Sequence, residues 1–299
     1  MSRSNRKQRD KRGRKSKKNN IVKISIKGIA VAALPLALAI GGGAMAINHM
    51  NTEQLDANSC YARSDQHVTA IFIDSSMNNS MSKSQRRDLM NSVSRKYLNA
   101  PANGRIVIFS TERDTTASVP TVTFEQCRPA KTQTEQTQIG GPEKSTPMLQ
   151  REQREAYKRF HAFLDGFIEA SKTKDKTAVS SPILQQIQAI SRHNFGAPLS
   201  DFMLFTDGIN NSENSQFCQV KGHLPPFSIF KTKPDYAYIR PDDFEGARVE
   251  FLMPQDGNYH PWGMKYCSWL ELQNFWVAYF EANGAQSVTL TPLGLGAGG

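Results

Sequence analysis

Apolar residues in this chain fall into two kinds of run, short continuous blocks and stripes at helical spacing. Residues 67–74 (HVTAIFID) are apolar almost without a break and end on an acid. Residues 104–110 (GRIVIFS) and 201–206 (DFMLFT) have the same form, the pattern of strands covered on both faces of a parallel sheet. Two more strands are predicted at 248–253 (RVEFLM) and 287–292 (SVTLTP), while 120–126 (PTVTFEQ) alternates as an edge strand does. Between these blocks, 82–98 set Leu89, Val93 and Tyr97 on one helical face. Residues 148–172 do the same with Leu149, Ala156, Phe160, Phe163, Leu164, Phe167 and Ile168. A third helix is predicted at 182–191, with proline in its first turn after Ser180 and Ser181, and a fourth at Trp269–Ala282. Strands alternating with helices predict an α/β domain over 67–293: a doubly wound, mostly parallel central sheet with helices on both faces. Loop insertions are predicted at about 128–147, which is rich in Thr, Gln and Gly, and at the proline-rich 210–243. Residues 48–66 read as a linker and 294–299 as a flexible glycine-rich end.

Charge is distributed very unevenly. The 299 residues carry a formal net charge of +10, yet residues 1–27 hold twelve basic side chains against Asp10 alone. That segment carries +11, and the remainder, 25 basic against 26 acidic groups, carries −1. A nucleic-acid-binding surface on the domain is therefore not expected, and 1–27 read as a disordered cytoplasmic tail. The twenty uncharged residues that follow, 28–47 (GIAVAALPLALAIGGGAMAI), are long enough to span a bilayer as a helix. Dense positive charge before an apolar span stays on the cytoplasmic side, which exports the rest of the chain. Two readings fit: a transmembrane signal anchor in the inner membrane, or a signal peptide cleaved after Ala46 that leaves a secreted protein. Both place the domain outside the cytoplasm, in the periplasm or beyond.

Four cysteines, Cys60, Cys127, Cys218 and Cys267, all follow the apolar segment. An even count in an exported chain predicts two disulfides, with three possible pairings. The rival is a zinc site from Cys218, His223, His260 and Cys267, which lacks any CxxC or HxxxH spacing.

Ligands of open α/β sheets gather at the carboxyl ends of the strands. The residues just past the predicted strand ends are Asp74-Ser75-Ser76-Met77-Asn78 and Asp207-Gly208, with Ser180-Ser181 at a loop-to-helix junction between them. Two carboxylates, several hydroxyls and an amide oxygen form a hard donor set, suited to Mg²⁺, Mn²⁺ or Ca²⁺ and not to zinc or copper. At these positions the chain resembles a von Willebrand factor type A (vWA) domain. That family carries a metal-ion-dependent adhesion site built from D-x-S-x-S after the first strand, a Thr in a later loop and the Asp of a T-D-G turn. Asp74, Ser76 and Asn78 fall on the first motif, Ser181 on the Thr and Asp207, within Phe205-Thr206-Asp207-Gly208, on the third. The sequence departs from the pattern with Asn78 for a Ser and Ser181 for a Thr.

The resemblance implies that Ser76 and Ser181 hold the ion directly and Asp74 and Asp207 hold it through water. An open coordination position would accept an acidic side chain of another extracytoplasmic protein, in a domain that performs no reaction. It also implies pairing. The edge strand of this fold is antiparallel, so Cys60 and Cys127 meet at one end of the sheet and Cys218 and Cys267 at the other. A scaffold subunit of an envelope complex using the fold without metal fits the same residues. A hydrolytic alternative rests on Asp74-Ser75-Ser76 and Asp256-Gly257-Asn258-Tyr259-His260, which resemble the two motifs of SGNH-type esterases. Ser75 would be the nucleophile and His260 the base. Ile73 stands where that family has glycine, and the Asp-to-His spacing is one residue too long.

Overall fold

A computed structural model describes residues 55–61, 65–75, 81–111, 116–171, 180–213, 215–218, 223–254 and 268–294. Six strands form one sheet: β1 (Val68–Ile73), β2 (Arg105–Ser110), β3 (Thr121–Cys127), β4 (Leu199–Phe205), β7 (Arg248–Pro254) and β8 (Ser287–Leu293). Their spatial order is β3-β2-β1-β4-β7-β8, and every pairing is parallel except that of β2 with β3. A two-stranded ribbon, β5 (Asn211–Ser212) with β6 (Ser215–Gln216), stands apart from this sheet. The chain works outward from β1 in both directions, so the loops after β1 and β4 meet at the middle of the carboxyl edge.

Helices cover both faces because the strands are apolar on both. On one side α1 (Lys83–Asn99) and α3 (Thr146–Ser171) pack Leu89, Val93, Tyr97, Phe160, Leu164 and Phe167 onto Ile71, Ile73, Ile106, Ile108, Met203 and Phe205. On the other, α4 (Ile183–Ser191) and α7 (Trp269–Ala282) bury Ile183, Leu184, Ile187, Phe275, Trp276 and Phe280 against Ala70, Phe72, Phe202, Leu204 and Phe251. Helix α1 starts at Ser82, whose hydroxyl accepts from the Gln85 backbone N–H while Gln85 accepts from that of Ser82, a reciprocal cap. The Gln85 amide also donates to the Leu293 carbonyl at 3.0 Å, which ties α1 to the end of β8.

Three stretches differ from the sequence expectation. Within 128–147 lies a short helix, α2 (Gln133–Gln138), started by the Thr132 hydroxyl accepting from the Glu135 N–H. Six polar residues give no apolar period, so only the cap could have announced it. Within 210–243, α5 (Phe227–Phe230) and α6 (Tyr236–Ile239) are also ordered, and Phe217, Phe227, Phe230 and Ile239 are buried in the core shared with α7. This insertion is held by edge-to-face aromatic pairs such as Phe227–Phe275 and Phe230–Phe275, with ring centroids 5.6 and 5.1 Å apart. Residues 55–61, read as linker, lie against the domain: Tyr61 and Asn103 exchange two 2.8 Å hydrogen bonds.

Cys60 and Cys127 form a disulfide there, with Cα atoms 5.1 Å apart. Cys218 is also disulfide-bonded, which excludes it as a zinc thiolate, and Cys267 lies outside the described residues. The tail at 1–27 and the apolar segment 28–47 lie outside them as well. Among the described residues no helix is long and apolar enough to cross a membrane.

Candidate functional site

Asp74 closes β1 and is fully buried. Its backbone N–H donates to the Phe205 carbonyl at 2.9 Å, which locks it to the end of β4. Its Oδ2 accepts from the Thr206 hydroxyl at 2.9 Å and from the Ser181 hydroxyl at 3.2 Å. Hydroxyls from two other segments therefore meet on the first predicted ligand. Ser181 is held by a two-way backbone bridge with Asn211 at 2.8 Å each way, and the Ser180 hydroxyl donates to the same Asn211 carbonyl. Pro182 stands at the N-cap of α4 and offers no side-chain cap. The buried Asn210 supplies it from the far loop, accepting from the Leu184 N–H at 3.0 Å.

Asp207 and Gly208 form the turn after β4. The Asp207 carboxylate accepts from the Ile209 N–H at 2.8 Å, and the Gly208 N–H donates to the Thr206 hydroxyl at 3.2 Å. Gly208 has φ +72°, and a Cβ there would lie 2.7 Å from Trp276 Nε1, which donates to the Gly208 carbonyl. Only glycine meets both the left-handed backbone and the close indole. Burial pushes the Asp207 carboxyl up to about 7, and the Asp74 charge beside it adds to the rise, against the lowering effect of the Ile209 N–H. Asp207 keeps some contact with solvent.

Asp74, Ser181 and Asp207 thus converge at the carboxyl edge of the sheet, while Ser76 and Asn78 lie outside the described residues. Thr206, Asn210 and Thr111 were not singled out in the sequence. Thr206 precedes the Asp-Gly turn directly, a position that could have flagged it. Thr111 Oγ1 accepts from the Ser75 N–H at 2.9 Å and carries no such signal. Ser75 is 6% exposed, and its buried Oγ has no hydrogen-bond partner. His260 lies outside the described residues, so no base is seen beside it.

The donor set fits a hard divalent ion: two carboxylates of which one raises the other's pKa, and hydroxyls in reach of the first. Among the described residues no group of three or more His, Cys, Asp or Glu side chains could hold a metal ion, so any such site depends on hydroxyl oxygens.

No protein-family model matches the sequence, and no curated protein matches it. Among solved structures, the vWA domain of SpRpn10 matches at 9% identity and a TM-score of 0.28, covering 78% of this chain and 100% of that one. At that TM-score the likeness adds nothing to what strand order and loop geometry show. The sheet is mostly parallel with one antiparallel edge, and Asp74, Ser181 and Asp207 meet where β1 and β4 end; the chain has an α/β fold of the arrangement that the vWA resemblance implies.

Proposed function

We propose that this protein is an extracytoplasmic protein-binding module that holds a divalent ion at Asp74, Ser181 and Asp207 and captures an acidic side chain of a partner. The observation that carries the reading is the meeting of a buried carboxylate with hydroxyls from two other loops, next to a second carboxylate disfavoured by the first. Two negative groups in one partly desolvated site repel, and a bound cation removes that repulsion. The ion would be Mg²⁺, with Mn²⁺ or Ca²⁺ fitting the same donors. When bound, it supplies an electrophilic position for a carboxylate; the chain's own residues fix that position and add no nucleophile. Residues 1–47 anchor the domain in the inner membrane or direct its secretion.

Mg²⁺ at 100 times its Kd should raise unfolding stability by about 3 kcal/mol in the wild type, read by thermal melts in EDTA and in Mg²⁺. Ser181→Ala and Asp207→Asn should lose most of that gain while remaining folded. Equal melts with and without Mg²⁺ would remove the metal from the reading. A second reading, a metal-independent scaffold subunit, is favoured by the two hydroxyl donors that already satisfy Asp74 Oδ2. It requires capture of the same partner in EDTA and in Mg²⁺, whereas metal-dependent adhesion requires loss of that partner in EDTA.

A further inference from the structure

At the opposite edge of the sheet a cavity of about 420 Å³ lies between residues 55–61, the turn after β3, α2 and the first half of α3. Its volume lies in the range of small-molecule sites. Leu55, Ile139 and Met148 are among its apolar lining residues, and Leu55 and Met148 are among the most exposed large hydrophobic side chains of the domain. Charged side chains line it as well. Lys144 is neutralised by Glu152, both of whose oxygens lie 2.8 Å from Nζ, and Glu155 reaches Lys158 outside the cavity at 3.4 Å. Arg128, Arg151 and Arg159 remain. Among the described residues neither Arg151 nor Arg159 has a carboxylate at ion-pairing distance; Arg159 only donates to the Gln126 amide oxygen.

Arg128 is the unusual one, since it is 5% exposed. Nη1 donates to the Pro129 carbonyl at 3.2 Å. Nη2 lies 3.5 Å from a Glu135 oxygen that already accepts from the Lys131 N–H at 2.6 Å. Its buried Nε has no hydrogen-bond partner. A guanidinium has five donors, and leaving them unmet away from water is costly. The cavity thus joins an under-satisfied buried guanidinium, two guanidiniums with no carboxylate in pairing reach among the described residues, and exposed apolar side chains.

We infer that this cavity binds a small anionic amphiphile, a single carboxylate on an apolar body, whose carboxylate faces the three arginines while the body lies on Leu55, Ile139 and Met148. Arginine pairs with carboxylate through two parallel hydrogen bonds, which fits this head group. The inference is independent of the metal site, since it uses none of its residues.

Decanoate, below its micelle concentration, is the probe, titrated calorimetrically into the full chain, with hydrogen exchange locating the contact. Decanoate should bind, and decanol and acetate should each bind at least roughly tenfold more weakly, because each lacks one half of the recognised chemistry. Protection should appear at 128–130 and 139–151. Arg151 and Arg159 are surface residues, so the double variant Arg151→Gln, Arg159→Gln should keep the wild-type melt and weaken decanoate by roughly tenfold. Equal binding of decanoate and decanol, an unchanged double variant or protection confined to another region would each overturn the proposal. Binding of the chain to phosphatidylglycerol vesicles with none to free decanoate would also overturn it, in favour of a membrane surface.

Discussion

Strand β4 carries an aspartate at each end, and the two stand in opposite electrostatic settings. Asp201, near its start, accepts both Nε and Nη2 of Arg248 at 3.0 and 2.9 Å. It also faces His67 Nε2 at 2.8 Å and has Lys96 within 3.8 Å. Burial would raise its carboxyl, but the His67 and Arg248 hydrogen bonds and the Lys96 and Arg248 charges outweigh it and hold the group well below the usual carboxylate range. Asp207, just past the other end, is pushed up to about 7 by burial first and by the neighbouring Asp74 charge second. One strand in one fold thus holds a neutralised carboxylate below and a frustrated one above. The lower end is stapled and charge-matched, as a structural end should be. The upper end sets a carboxylate disfavoured by burial and by Asp74 at the edge where the proposed ligand would bind.

Cutting the staple should have the largest effect. The disulfide closes a separation of 67 residues, and replacing Cys60 and Cys127 with serine should cost about 4 kcal/mol in urea unfolding. A loss under about 1 kcal/mol would mean that the lower end does not depend on it. At the upper end, Gly208→Ala sets a Cβ against Trp276 in left-handed backbone, and about 3 kcal/mol should be lost, measured in the same way. Asp201→Ala takes the carboxylate away from Arg248 and His67, while Lys96 keeps Glu250 at 2.9 Å. Because Arg248 is 58% exposed and can turn to water, the expected loss is about 2 kcal/mol.

The smallest effect has the opposite sign. Asp207→Asn removes the repulsion with Asp74 and should stabilise the metal-free protein by up to about 1 kcal/mol at pH 8. The pH dependence separates the two ends. Asp207 has a folded pKa above its unfolded one, so its contribution is fully present below about pH 4 and is lost as pH rises through about 7. The Asp207→Asn variant should therefore match the wild type at pH 4.5 and exceed it at pH 8. Asp201 has a folded pKa below its unfolded one, so its contribution is present above about pH 4 and is lost as pH falls further. Asp201→Ala should thus lose its disadvantage in strong acid. Parallel curves for both variants across pH 4–8 would erase the contrast between the ends.

Much of the fold is legible in the chain because continuous apolar blocks and 3.6-residue stripes report burial directly. Residues 67–74 and 201–206 contain β1 and most of β4, and the stripe through Leu89, Val93 and Tyr97 is the buried face of α1. The proline-rich insertion was harder. Phe227 and Phe230 sit in a four-residue turn of helix too short to show a period, and they are buried only because α7 offers Phe275 to receive them. Polar α2 is set by one cap and has no pattern to read.

The candidate site divides along the same line. The sequence by itself determined where acids and hydroxyls follow buried strands, since apolar runs that end in Asp74 or in Thr206-Asp207-Gly208 need no partner to be recognised. Only the tertiary structure decided what each group meets. It set Ser181 and Thr206 on Asp74, made Asn210 the cap of a helix 26 residues away, and gave Asp201 cations and Asp207 a second carboxylate. The physical reason is range: burial period is written in neighbouring residues, whereas hydrogen bonds and charge act between segments that only the folded sheet brings together.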